Sequence, residues 1–203
     1  MYSIYSSLVI KYLRTSGYTN CMVIAFIGPA GSGKTTLASQ VAKHFNVPFC
    51  DGDDFYPLSV RKQIEPASPN KKNSLQLGLI YKPLLNKVKT ILSQEPVCII
   101  IHSFKKRLFR YMFDNEFGKD MVWVFVKPNE ELHIEKLFAR EWNDPNRSIH
   151  VESELKSRLQ NRTEKYWAEF ENTDYTTVIE IQNNYDKQSI DRAILAVLPL
   201  IKR

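Results

Sequence analysis

Gly28-Pro29-Ala30-Gly31-Ser32-Gly33-Lys34-Thr35 stands directly after the apolar run Met22–Ile27. Directly after it come Leu37, Ala38, Val41, Ala42 and Phe45, apolar residues at helical spacing. The stretch satisfies G-x-x-x-x-G-K-[ST] at every fixed position. Its flanks supply the strand before and the helix after that give this pattern its meaning. Glycines let the backbone wrap closely, so that successive N–H groups point at phosphate oxygens. The start of the helix adds partial positive charge. Lys34 is expected to reach the β- and γ-phosphates, and the Thr35 hydroxyl to ligate Mg²⁺. Gly28, Pro29, Ala30, Gly31, Ser32, Gly33, Lys34, Thr35 and Thr36 are the candidate contacts to a nucleoside triphosphate, and ATP is the expected one.

Working outward, strands and helices alternate. Val47–Cys50 reads as a second short strand, Val97–Ile101 as the third, Met121–Val126 as the fourth and Thr176–Ile181 as the fifth. Leu75–Leu92, broken or started near Pro83, reads as a helix. So do Lys105–Phe113, Glu130–Trp142, Val151–Phe170 and Ser189–Leu198. Residues 57–75 are rich in Pro, Ser, Asn and Lys and read as a mobile surface segment or small lid. Asn143–His150 reads as a loop. This alternation implies a parallel sheet covered on both faces. Ligands of such sheets bind at the carboxyl ends of the strands.

The 203 residues suit one α/β domain. We read residues 1–21 as an N-terminal extension and 22–203 as a single domain built on the phosphate loop, with a lid at about 141–151. Apolar content of 43% and charged content of 25% are those of a soluble globular chain. No apolar run reaches the roughly 18 residues of a membrane helix. The net charge is +6. No basic run interleaved with aromatics accompanies it, so the surplus is assigned to phosphate handling and an ordinary surface rather than to nucleic acid. Cys21, Cys50 and Cys98 have no zinc spacing and read as free thiols of a reducing compartment. A cytoplasmic location is therefore expected. Residues 1–21 contain Lys11 and Arg14 and no acid, a composition also found in transit segments. Targeting, a short helix and a translation start at Met22 all remain open readings of that stretch.

The second chemical block is Asp51-Gly52-Asp53-Asp54, after strand two. Strand three ends Ile100-Ile101-His102-Ser103, with no acid to hold a metal. The carboxylates after strand two must then serve the metal or the acceptor hydroxyl. Asp53 is the candidate for orienting or deprotonating the acceptor, and for joining Thr35 on Mg²⁺. Asp51 is a further acceptor contact. After strand three comes Ser103-Phe104-Lys105-Lys106-Arg107-Leu108-Phe109-Arg110. Lys105, Arg107 and Arg110 are candidates to hold an anionic acceptor, with Arg107 and Arg110 on one helix face by their i, i+3 spacing. The segment from Arg140 to Arg147 reads as an arginine-bearing lid, and Arg140 as the clamp on the transferring phosphoryl group. Arg158 and Arg162 are weaker candidates. The four histidines show no metal-ligand spacing. Only His102 lies at a strand end, where a structural and a substrate-contacting role are both open.

Taken together, these blocks resemble the small P-loop gluconokinases. Asp51-Gly52-Asp53-Asp54-Phe55-Tyr56-Pro57 is similar to the family's Asp-Gly-Asp-x-[Phe/Leu]-[His/Tyr]-Pro. Ser103–Arg110 is similar to its Ser-x-Leu-Lys-x-x-Tyr-Arg. Phe125-Val126, and Lys136-Leu137 followed by Arg140, are similar to its fourth strand and lid-proximal helix. The resemblance spans about residues 22–180. It implies a P-loop NTPase fold of the nucleoside-monophosphate-kinase-like type, with a five-stranded parallel sheet in order 2-3-1-4-5 flanked by helices and a small lid. It implies ATP-dependent transfer of the γ-phosphoryl group to a hydroxyl of a sugar acid such as gluconate, with Mg²⁺. Dimerisation is an expectation at the family level only. The family's middle block is absent: in Ser74–Leu85 only Pro83 and Leu85 match, and an arginine expected to hold the acceptor falls on Tyr81. The lid-proximal helix ends Glu141-Trp142-Asn143, where the family has a histidine last.

The sequence therefore predicts a small-molecule kinase binding ATP and a small acceptor, with no nucleic acid or membrane partner. Nucleoside-monophosphate and shikimate-type kinases share the scaffold and stand as alternatives. So does an ATP-binding protein without phosphotransfer.

Overall fold

The computed structural model describes residues 21–145, 147–170 and 178–201. Five parallel strands form one sheet: β1 (Met22–Ile27), β2 (Phe49–Asp51), β3 (Val97–Ile101), β4 (Met121–Pro128) and β5 (Val178–Asn183), in the order β2-β3-β1-β4-β5. This is the order that the resemblance implied. The predicted fifth strand begins at Thr176, and its first two residues lie outside the described ones, as does the 1–20 stretch.

β1, β3 and β4 are buried on both faces, which is why they read as continuous apolar runs. The period-2 alternation divides them cleanly. Val23, Ala25, Ile27, Cys98, Ile100, Met121, Trp123 and Phe125 enter one core layer. Ile24, Phe26, Ile99, Ile101, Val122, Val124 and Val126 enter the other. The second layer is closed by helices α1 (Lys34–Phe45) and α8 (Lys187–Ile201), through Leu37, Val41, Ala193 and Val197.

The first layer is closed by helices between β2 and β4, and here the structure corrects the sequence reading. Residues 57–75, expected as a mobile surface segment or small lid with no regular elements of its own, form α2 (Leu58–Ile64) and most of α3 (Pro69–Gln76). Ile64 is completely buried and anchors the first of these. Pro69 opens the second, where its missing N–H costs nothing. The polar composition belongs to the outward faces of two short helices. α3 then runs through a π-helical turn, Leu77–Tyr81, into α4 (Lys82–Leu92). The N–H of Lys82 donates to the Leu77 carbonyl five residues back. The widened turn ends two residues before Pro83, which has no N–H for the regular ladder, and π turns cluster at functional positions. It directs Tyr81 inward, where the ring stacks on Phe109 at a centroid distance of 3.9 Å.

The remaining helices are α5 (Arg107–Phe117), α6 (Glu130–Trp142) and α7 (Glu152–Phe170). Among the described residues, no helix is long and apolar enough to cross a membrane. The carboxyl ends of all five strands meet at one edge of the sheet, so the segments beginning at Gly28, Gly52, His102, Asn129 and Asn184 line the same cleft side.

Candidate active site

The phosphate loop joins β1 to α1. Gly31 has φ +79° and Gly33 φ +85°, left-handed conformations that disfavour any side chain. A Cβ on Gly31 would also lie 2.5 Å from the Leu137 side chain, so space and dihedral require glycine together. Gly33 occupies the N-cap position of α1, and no side chain caps the helix. The first N–H groups of α1 are thereby left to whatever anion lies in the loop. The Lys34 ammonium donates to the Pro29 carbonyl at 2.7 Å. Thr35 and Thr36 are exposed at the start of the helix.

Electrostatics draw Lys34, Asp53, Asp51 and Arg140 into one neighbourhood. Burial pushes the Lys34 ammonium down to about 8, Asp53 and then Asp51 pull it back up, and Arg140 adds to the depression. Asp51 closes β2 and accepts a hydrogen bond from the Asp53 N–H at 2.8 Å, which fixes the one-turn 3₁₀ helix Gly52–Phe55. Asp53 Oδ1 lies 3.1 Å from His102 Nδ1. That hydrogen bond holds the Asp53 carboxyl below the ordinary carboxylate range against partial desolvation, with help from the charges of Lys34 and Arg61. Asp51 behaves oppositely: burial raises it. Arg61, on α2, places its guanidinium over the Tyr56 ring at 5.0 Å.

The segment after β3 is more buried than its charge suggested. Lys105 is half-buried, Lys106 donates to the Asn73 side chain, and Arg107 is exposed. Arg110 departs from the expectation for it. Its side chain is fully buried, and its guanidinium donates to the Phe104 carbonyl and, at 3.2 Å, to the Lys105 carbonyl. The i, i+3 spacing puts Arg107 and Arg110 on neighbouring positions, but the second one is turned under the loop, against the Phe104 and Lys105 carbonyls.

The lid base is organised by aromatics. Trp142 stacks on Phe138 at 5.2 Å, and the Arg147 guanidinium lies 4.7 Å above Trp142 while donating to its carbonyl at 2.7 Å. Arg162 reaches Glu141 at 2.8 Å, and Arg140 approaches the same carboxylate at 3.8 Å. Arg158 approaches the Ser148 hydroxyl at 3.4 Å. Arg140 is mostly exposed, and of these lid arginines it is the one whose charge is felt at Lys34.

Three side chains without a sequence motif also converge on the phosphate loop. His133 Nε2 lies 2.8 Å from the Ala30 carbonyl, the Tyr185 hydroxyl donates to the Gly31 carbonyl at 2.9 Å, and Asn183 Nδ2 donates to the Ser32 carbonyl at 2.7 Å. They lie 100 residues or more from the loop in sequence. The only hint of them was a histidine four residues before Leu137 on an apolar helix face, and an asparagine beyond the last apolar residue of a strand.

Comparison with known proteins gives the same frame. Residues 24–65 match the family model described as the ATPase family associated with various cellular activities, a span running from β1 through the phosphate loop to the end of α2. A probable gluconokinase of Xenopus tropicalis is 40% identical over 48 residues, 24% of this chain and 25% of that relative. An adenylate kinase of Rickettsia africae is 25% identical over 123 residues, 59% of this chain and 58% of the relative. The chain thus aligns with about a quarter to just over half of the length of these curated relatives. A solved gluconokinase from Sinorhizobium meliloti superposes with a TM-score of 0.57 at 17% identity, covering 89% of this chain and 94% of the other. The fold is that of the P-loop kinases, and the resemblance to gluconokinases read from the motifs recurs in both a curated sequence and a solved structure.

Proposed function

We propose that this chain is an ATP-dependent kinase that transfers the γ-phosphoryl group to a hydroxyl of a small molecule, a sugar acid such as gluconate being the first candidate. The observation that carries the reading is the shared electrostatic neighbourhood of Lys34 and Asp53, beyond the carboxyl ends of β1 and β2, the two strands that flank β3. Donor phosphates held by the loop and an acceptor hydroxyl beside Asp53 then lie together for in-line transfer.

Each residue has a task in this reading. The loop N–H groups and Lys34 bind the β- and γ-phosphates. Arg140, from the lid, neutralises charge that develops on the transferring group. Asp53 holds the acceptor. Its carboxyl lies below the ordinary range, so it is ionised and a weak base, able to accept a hydrogen bond from the hydroxyl without taking the proton early. Orienting the hydroxyl suits it better than removing the proton early, which agrees with a loose phosphoryl-transfer transition state.

The residues also suit Mg²⁺. Among the described residues, no group of three or more His, Cys, Asp or Glu side chains could hold a metal ion, so no protein cage is built. Mg²⁺ is commonly bound through one or two protein ligands together with phosphate and water. Thr35 and Asp53 would hold it, and it would offset phosphate charge.

The test is ADP release by the purified chain with ATP and Mg²⁺, across gluconate, shikimate and the nucleoside monophosphates. We expect release that depends on one acceptor and disappears in Lys34→Ala. ATP hydrolysis that is equally fast without any acceptor would overturn the kinase reading. Transfer only to shikimate or to a nucleoside monophosphate would replace the sugar acid.

A further inference from the structure

Four successive carbonyls of the phosphate loop each receive a side-chain donor. Pro29 is met by Lys34, Ala30 by His133, Gly31 by Tyr185 and Ser32 by Asn183, all between 2.7 and 2.9 Å. The first donor belongs to the loop. The other three come from α6 and from the segment that ends β5. We propose that His133, Asn183 and Tyr185 are positioning residues for phosphate binding, an outer brace that holds the loop with its amides turned toward the ligand.

The reasoning starts from the planar trans peptide. Within one unit the C=O and the following N–H point in opposite directions. A brace that draws the Ala30 and Ser32 carbonyls outward therefore turns the N–H groups of Gly31 and Gly33 inward. The Ser32 N–H is taken by the Pro29 carbonyl at 3.1 Å, which closes a turn inside the loop. A glycine-rich loop has many conformations to lose, and holding it beforehand removes that cost from binding.

The brace is itself fixed. Asn183 is almost fully buried, and both ends of its amide are used: the oxygen accepts from the Tyr185 N–H at 2.8 Å while the nitrogen serves Ser32. Its approach requires the glycine at 33, where a Cβ would lie 2.2 Å from Asn183 Nδ2. Tyr185 sits at φ +59°, a left-handed conformation uncommon for an aromatic residue, and this turns its hydroxyl back to Gly31. The Lys136 ammonium lies 5.1 Å from the centre of the Tyr185 ring, linking α6 to the same turn. His133 is completely buried. A carbonyl only accepts, so Nε2 carries the proton. Burial, aided by Lys34, Arg162 and Arg140, keeps the ring neutral.

The inference rests on the reading of Gly28–Thr35 as a phosphate site, but its test needs no acceptor and no turnover. Calorimetry on the whole chain would compare affinities for Mg²⁺-ATP, inorganic tripolyphosphate and adenosine. Tyr185→Phe removes one oxygen and keeps the ring. We expect it to weaken ATP and tripolyphosphate by the same factor, about three- to tenfold, the range of a single hydrogen bond. Adenosine binding should hold, and the melting temperature should fall by only a few degrees, the stability of one hydrogen bond. His133→Gln, which can still donate, should retain affinity that His133→Leu loses; if His133→Leu fails to fold, Tyr185→Phe still decides. Unchanged tripolyphosphate affinity in Tyr185→Phe would overturn the proposal, whether ATP affinity falls or not. So would a lowered melting temperature with both affinities intact, since that marks a packing role alone. A chain that binds tripolyphosphate but phosphorylates nothing would end the kinase reading and leave this one standing.

Discussion

His102 Nδ1 and Asp53 Oδ1 lie 3.1 Å apart across two strand ends, the ring almost fully buried and the carboxylate mostly in solvent. The buried partner is the rigid one: the His102 ring meets Tyr81 edge-on at 5.2 Å and Phe104 at 5.7 Å. It therefore sets the direction of the carboxylate, occupying one oxygen and leaving the other for an acceptor. His102→Ala should lower acceptor-dependent turnover by about tenfold, the worth of one charge-assisted hydrogen bond. His102→Asn, which keeps a short donor, should recover part of the loss. Steady-state kinetics with the identified acceptor check this, and equal turnover in wild type and His102→Ala would refute it.

Gly52 makes that contact sterically possible. A Cβ there would lie 2.7 Å from the His102 Cβ and 2.8 Å from its Cγ. Gly52→Ala should therefore displace the ring, at a cost of about 1–3 kcal/mol in overpacking. In a His102→Gly background, which removes both atoms, most of that cost should vanish, a non-additivity that denaturant melts of the four proteins would measure. Purely additive effects would mean that the two residues do not compete for the space.

Legibility followed the length scale of the interaction. The phosphate loop was readable because its chemistry is local: glycine conformations, one lysine and one hydroxyl within eight residues of each other. The limits of α6 were readable too, because Asn129 caps it and Glu130 and Glu131 favour its start. The two helices within residues 57–75 were not readable, since short polar helices bury little and look like loops by composition. The depth of Arg110 was not readable, since periodicity assigns a face and not its burial. The brace on the loop was invisible because it joins residues far apart in sequence through backbone carbonyls, which carry no residue signature.

Lys34 predicts a pH dependence with a definite sign. In the free chain burial pushes its ammonium down to about 8, below the ordinary lysine value. The charge that meets the phosphates is present at pH 7 and is lost as pH rises through 8. ATP affinity should then fall above pH 8, approaching about tenfold per pH unit if only the charged form binds. Once bound, phosphate favours the ammonium, so turnover at saturating ATP should be much flatter. Calorimetric titrations from pH 6.5 to 9.5 read the first effect, with Lys34→Met as the weak, pH-insensitive control. An affinity constant across that window would contradict the assignment.

Arg110 separates a structural cation from a substrate-holding one. Burial lowers its guanidinium to about 10, which leaves it charged at neutral pH. Its donors go to the Phe104 and Lys105 carbonyls, directly where the chain needs help. Phe104 is completely buried and has φ +39°, a left-handed conformation for a bulky residue, costing about 1–3 kcal/mol. The same residue packs against Phe113 and Trp123, so it cannot relax outward without opening the core. Arg110→Met should destabilise the chain by about 2–4 kcal/mol, from lost charged hydrogen bonds and carbonyls left buried without a donor. Both carbonyls are met by one guanidinium nitrogen, so Arg110→Lys should recover part of the loss if its shorter chain lets the ammonium reach them. Among properly folded molecules, the acceptor KM should change by less than about threefold, since no part of the guanidinium is required to touch substrate. Urea melts and acceptor KM measured on the same preparations decide the matter. Intact stability with a strongly raised acceptor KM would return Arg110 to the acceptor site, where its charge and spacing had first assigned it.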